Sequence, residues 1–115
     1  MRVLIVDDNP VDLMVVEKFF EGTGVVPLRA SDGLTALEML QNSRFDLLIT
    51  DYDMPGLRGD ELAREARKVQ PRIHIWCVTA SIDPHEFSRC GEVCELVIKK
   101  PFQYALFREA FITLR

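Results

Sequence analysis

The 115-residue sequence has little that would tie it to a membrane, to nucleic acid or to an oxidising compartment. Its longest apolar runs are only a few residues, too short for a membrane-spanning helix, so no membrane partner is expected. The opening, MRVLIVDDNP, turns acidic at Asp7, too early for a secretory signal. No basic block stands out. Against 14 Lys and Arg there are 18 Asp and Glu, a formal charge of −4, so direct nucleic-acid binding is not expected. Cys77, Cys90 and Cys94 are an odd number without a disulfide-rich spacing, which suits a reducing, cytoplasmic setting. Repeats, linkers and low-complexity stretches are also missing, and the expectation is one domain over 1–115. What is present, 48% hydrophobic and 28% charged residues, is the composition of a folding chain.

Apolar runs alternate with helix-period segments along the whole chain. Val3 to Val6 reads as a buried strand, and Asn9-Pro10 starts a helix carrying Leu13, Val16 and Phe20, ended by Gly22 and Gly24. A second strand is expected over Val25 to Ala30. Pro27 within it cannot donate to a ladder, which puts this strand at a sheet edge. Ser31 and Asp32 offer caps for a helix with Leu34, Leu37 and Leu40. Leu47 to Thr50 is a third strand, and Leu62, Ala66 and Val69 mark the helix after it. Ile73 to Val78 is a fourth strand, followed by a short helix opened by Asp83-Pro84 and not running far beyond Cys90-Gly91. Leu96 to Ile98 is a fifth strand, and Phe107, Phe111 and Leu114 stripe a last helix. Five such βα units predict a doubly wound α/β fold, a parallel sheet between two helix layers.

The polar residues fall where that fold would use them. In a parallel sheet all strand C-termini lie on one edge, where ligands bind. The first strand ends in Asp7 and Asp8, the third in Asp51, the fourth in Thr79, and the fifth in Lys99 and Lys100. Clustered carboxylates resist ionising together, and a divalent cation such as Mg²⁺ removes the conflict. Lysine and threonine donors suit phosphoryl oxygens, and a carboxylate can itself attack phosphorus. The inferred chemistry is phosphoryl transfer.

Taken in order, Asp7-Asp8, Asp51 in LLITDYDMPGLRG, Thr79-Ala80 and Lys100 in the KPF run at 100–102 resemble a response-regulator receiver domain of two-component signalling. The resemblance covers essentially the whole chain. It implies a flavodoxin-like (βα)5 fold with strand order 2-1-3-4-5. It implies Asp51 as phosphoacceptor, taking its phosphoryl group from a phosphohistidine on a sensor histidine kinase or a histidine phosphotransfer protein. Asp7 and Asp8 would hold Mg²⁺, completed by Asp51 and the backbone carbonyl of Asp53. Thr79 would bond a phosphoryl oxygen, and Lys100 would pair with the phosphate. Such a domain is enzyme-like only in catalysing its own phosphorylation and dephosphorylation. One helix's worth of chain follows Lys100, so no output domain is expected, and homodimerisation is left open. Two departures point to an atypical output face. Val97 stands where the family usually carries Tyr or Phe, and Pro84 and Gly91 leave room for only a short fourth helix.

Two other functions remain open on sequence. One is a phosphorylation-independent pseudo-receiver, a pure interaction module. The other is a haloacid-dehalogenase-type phosphatase, whose D-x-D pattern Asp51-Tyr52-Asp53 satisfies, although the pair follows the third strand rather than the first. Several residues have plainer expectations. His74 alternates with Trp76 and is expected packed or half-exposed, and His85 at the surface. Cys90 and Cys94 fall short of a zinc set and are expected as small buried hydrophobes. Lys99 is expected as a solvated charge.

Overall fold

The computed structural model describes residues 1–80, 83–100 and 104–114. Its elements alternate as β1 (Val3–Val6), α1 (Pro10–Lys18), β2 (Leu28–Ala30), α2 (Gly33–Asn42), β3 (Leu47–Asp51), α3 (Gly59–Val69), β4 (His74–Thr79), α4 (Pro84–Val93), β5 (Leu96–Lys99) and α5 (Tyr104–Leu114). The strands form one parallel sheet in the order β2-β1-β3-β4-β5, as expected for the doubly wound arrangement.

Alternation along the strands divides the core in two. Val3, Ile5, Leu47, Ile49, Trp76, Val78 and Ile98 point to one face, where Leu13 and Val16 of α1 and Phe107 and Phe111 of α5 cover them. There the rings of Phe20 and Trp76 meet Phe107 edge-on, with centroids 5.5 Å away in each case. Leu4, Val6, Leu48, Ile75 and Cys77 point to the other face, against Ala36 and Leu40 of α2, Leu62, Ala63 and Ala66 of α3, and Cys90 of α4. Val97, paired in register with Cys77, is partly buried on this second face.

The helix starts follow local chemistry. Asn9 accepts from the Val11 and Asp12 amides of α1, Asp32 from the Thr35 amide of α2, and Asp83 from the His85 amide of α4. Three expectations are corrected. The second strand begins only at Leu28, because Pro27 has no amide to give and the ladder opens after it. Leu34 is exposed, and Ala36 takes its place against the sheet. The fourth helix is not short: its ten residues equal α2 and exceed α1. Gly91 lies on its exposed side, where a missing side chain removes no packing contact, so the helix runs through it to Val93. Pro101 and Phe102 of the KPF run lie outside the described residues.

Candidate functional site at the carboxyl edge of the sheet

The C-terminal ends of β1, β3, β4 and β5 bring Asp7, Asp8, Asp51, Thr79 and Lys100 to one open groove of about 790 Å³, with Asp53, Asp12 and Glu86 also on its wall. The backbone holds that edge together. Asp7 donates its amide to the Ala30 carbonyl at 3.2 Å, Tyr52 to Val78 at 2.8 Å, and Lys100 to Thr79 at 2.7 Å. Each of these ties a chemically active segment to its neighbouring strand.

Asp7, Asp8 and Asp51 each present a carboxylate oxygen, all within 4.8 Å of one another. Asp7 and Asp51 are buried, and Asp8 is exposed. Among the described residues this is the one group of three ionisable side chains spaced to share a metal ion. Facing it, the Lys100 ammonium lies 3.1 Å from Asp7 Oδ2, 2.8 Å from Asp12 Oδ2 and 3.2 Å from Asp51 Oδ1. Thr79 is buried at the end of β4. Lys99 is exposed, as expected.

The electrostatics of the cluster are unbalanced. Burial, reinforced by the charge of Asp7, pushes the Asp51 carboxyl up to about 6, against the opposing pull of Lys100. Burial also raises Asp7, although the Asn9 amide and Lys100 both favour its charged form. Burial works against the Lys100 ammonium, yet the bond to Asp12 and the charges of Asp51 and Asp7 overrule it and hold its proton more tightly than usual. One ammonium does not neutralise four acids, so this donor set fits an added divalent cation.

A second acidic centre stands close by in sequence. Asp60, at the start of α3, is fully buried. Arg58 Nε and Nη2 reach its two oxygens at 3.1 and 3.3 Å, and Arg64 adds a third contact at 3.3 Å. Burial alone would raise its pKa, but the guanidinia hold it below the ordinary value. Between Asp51 and Asp60 the chain doubles back so closely that a Cβ on Gly59 would collide with the Asp51 carbonyl oxygen and lie 2.8 Å from the Tyr52 Cα. Only glycine allows α3 to start there.

Sequence reasoning did not single out Asp12 or Asp60. For Asp12 the available signal was an acid one helical turn beyond Asp7-Asp8, on the same rim. Nothing local distinguished Asp60 from an ordinary first-turn acid. The plainer expectations hold for the thiols and for both histidines. Cys77, Cys90 and Cys94 are buried and free, with Cys77 and Cys90 sulfurs 3.2 Å apart. His74 is half-exposed and bonded through Nδ1 to Glu95 at 2.6 Å, while His85 is exposed.

Comparison with known proteins bears on the family and the fold. The chain is 32% identical over 113 residues to the chemotaxis protein CheY-3 of Vibrio cholerae, covering 95% of this chain and 87% of that protein. It is 34% identical over 94 residues to the sensor protein EvgS of Escherichia coli, matching 79% of this chain but only 8% of EvgS. Among solved structures, the receiver domain of the sensor histidine kinase PA1611 from Pseudomonas aeruginosa superposes with a TM-score of 0.87 at 26% identity, over 98% of this chain and 95% of that one. That structure has a magnesium ion coordinated in its active-site cleft. Residues 3–111 match the family model of the response regulator receiver domain, and with these relatives the chain belongs to that family.

Proposed function

We propose that this receiver domain accepts a phosphoryl group on Asp51 from a phosphohistidine of a sensor histidine kinase or histidine phosphotransfer protein. The observation that carries the proposal is the convergence of Asp7, Asp8 and Asp51 within 4.8 Å, with Lys100 bonded to Asp51. In the transfer, an Asp51 carboxylate oxygen forms a bond to phosphorus as the phosphorus–nitrogen bond of the phosphohistidine breaks. The electron pair stays on the imidazole, which takes a proton from solvent. Asp7, Asp8, Asp51 and the Asp53 carbonyl would hold Mg²⁺, which supplies positive charge between the carboxylates and against the phosphoryl oxygens. Lys100, paired with both Asp51 and Asp7, supplies a second positive charge. Thr79 is suited to donate its hydroxyl to a phosphoryl oxygen from the adjoining strand. The chemistry is positioning and neutralisation, one transfer per signal.

Free thiols and the absence of a basic block fit a bacterial cytoplasmic signalling module that meets proteins rather than nucleic acid. On the output side, Val97 has no ring to rotate when Thr79 engages a phosphoryl group. The readout therefore runs through some other change of the α4 and β5 surface.

Incubation with a small phosphodonor and Mg²⁺, followed by intact mass, tests the proposal. One added phosphoryl group, absent after Asp51→Asn, is the expected result. Absence of an adduct under saturating donor would instead favour a pure interaction module. Multiple turnover of a phosphate monoester would favour the phosphatase.

A further inference from the structure

We propose that Asp12 is a positioning residue for phosphoryl transfer, the carboxylate that keeps the Lys100 ammonium in place while Asp7 and Asp51 are engaged elsewhere. This rests on the assignment of Asp51 as phosphoacceptor. A lysine ammonium has three donors, and here it faces three carboxylates. Two of them, Asp7 and Asp51, belong to the group spaced to share a cation, and Asp12 does not. Yet Asp12 makes the shortest of the three contacts, 2.8 Å against 3.1 and 3.2 Å. A cation on the acid cluster and a phosphoryl group on Asp51 would both draw on the other two acceptors. Cation and ammonium also repel each other. Asp12 is the acceptor left to hold Lys100 through these changes.

The post itself is firm. Asp12 sits in the first turn of α1, which Asn9 caps and Pro10 starts, and which Leu13 and Val16 anchor to the sheet. Lys100, by contrast, ends a flexible stem whose ammonium would sample several positions without that third contact. Misplacing a group that must meet a developing phosphoryl charge is costly in rate.

The test compares wild type, Asp12→Ala, Asp12→Asn and Glu86→Gln, the last removing a charge from the same groove without touching the contacts of Lys100. Phosphorylation rates are measured against small-phosphodonor concentration at saturating Mg²⁺, and the ¹H–¹⁵N resonance of the Lys100 ammonium is recorded in each protein without donor. Asp12→Ala is expected to lower the maximal rate about tenfold with little change in the donor concentration at half-rate. Its Lys100 resonance should broaden through faster proton exchange. Asp12→Asn, which keeps an oxygen acceptor but loses the charge, should fall between, and Glu86→Gln should stay within about twofold of wild type. An Asp12→Ala rate matching wild type, an equal loss in Glu86→Gln, or an unchanged Lys100 resonance would overturn the assignment. A wild-type protein that forms no adduct would instead refute Asp51 as acceptor, and the resonance alone would then decide whether Asp12 holds Lys100.

Discussion

Asp51 and Asp60 are two acids brought close by one loop, and the contrast between them separates burial from reactivity. Asp60 is the more buried, with 1% of its side chain exposed against 8% for Asp51. Yet it is held below the ordinary carboxylate value while Asp51 is pushed up to about 6. Neighbours make the difference. The guanidinia of Arg58 and Arg64 both bond to Asp60, so its charge is paired. Asp51 shares one ammonium with Asp7 and Asp12, so its charge is in conflict until something positive is added. The first arrangement pairs a charge inside a loop, whereas the second leaves negative charge in excess of its one ammonium.

Stranding the Asp60 charge would be the most severe way to break the contrast. The double variant Arg58→Ala, Arg64→Ala is expected to be less stable than wild type at neutral pH in urea unfolding. Because the folded pKa of Asp60 is depressed, the wild-type contribution is complete above the unfolded value of 3.8 and fades as pH falls through the lower folded value. The deficit of the double variant should therefore shrink in acid. A deficit that did not change with pH would mean that packing, not charge, holds Asp60.

Asp51 gives the opposite sign and a smaller effect. The folded protein keeps the Asp51 proton up to about pH 6, whereas the unfolded chain releases it near 3.8. Stability from this group thus falls as pH rises through that window. Asp51→Asn should stabilise the cation-free protein at pH 7 by about 2–3 kcal/mol, a gain that disappears below the unfolded value. Added Mg²⁺ should stabilise wild type more than the variant and narrow the gap. Equal stability of the two proteins at pH 7 would show that Asp51 is not in conflict.

Gly59 joins the two centres and sharpens the comparison through backbone contact alone. Gly59→Ala would force a Cβ against the Asp51 carbonyl oxygen and the Tyr52 Cα, backbone atoms that cannot swing aside, at a cost of about 3 kcal/mol or more in thermal or urea unfolding. The strain falls on the Asp51 backbone, so phosphorylation should slow while the Arg58–Asp60 pair stays formed. An alanine variant as stable as wild type would show that the loop can shift without consequence.

The comparison also explains what could be read from sequence. Strands buried on both faces leave continuous apolar runs, so β1 and β3 were plain from Val3 to Val6 and from Leu47 to Thr50. Asn9, Asp32 and Asp83 carry their own capping chemistry, and Pro27 signalled an edge strand, though it began the ladder later than expected. Leu34 misled because α2 lays Ala36 and Leu40 against the sheet, which leaves Leu34 on its outer side. Gly91 misled because a glycine weakens a helix without stopping it. Asp7, Asp8, Asp51, Thr79 and Lys100 were legible as a site because strand ends in a parallel sheet share an edge.

The linear order of residues was enough for the alternation of strands and helices, their parallel pairing and the edge on which the ionisable groups gather. Those follow from hydrophobic period and chain handedness, which act locally. How acids and bases far apart in the chain meet was decided only by tertiary packing. Asp12 finds Lys100 across 88 positions of chain. Asp60 has its partners, Arg58 and Arg64, close by in sequence, and packing decides only how deeply it is buried. Electrostatic partners depend on distances of a few ångströms between segments, and no period in a sequence encodes such distances.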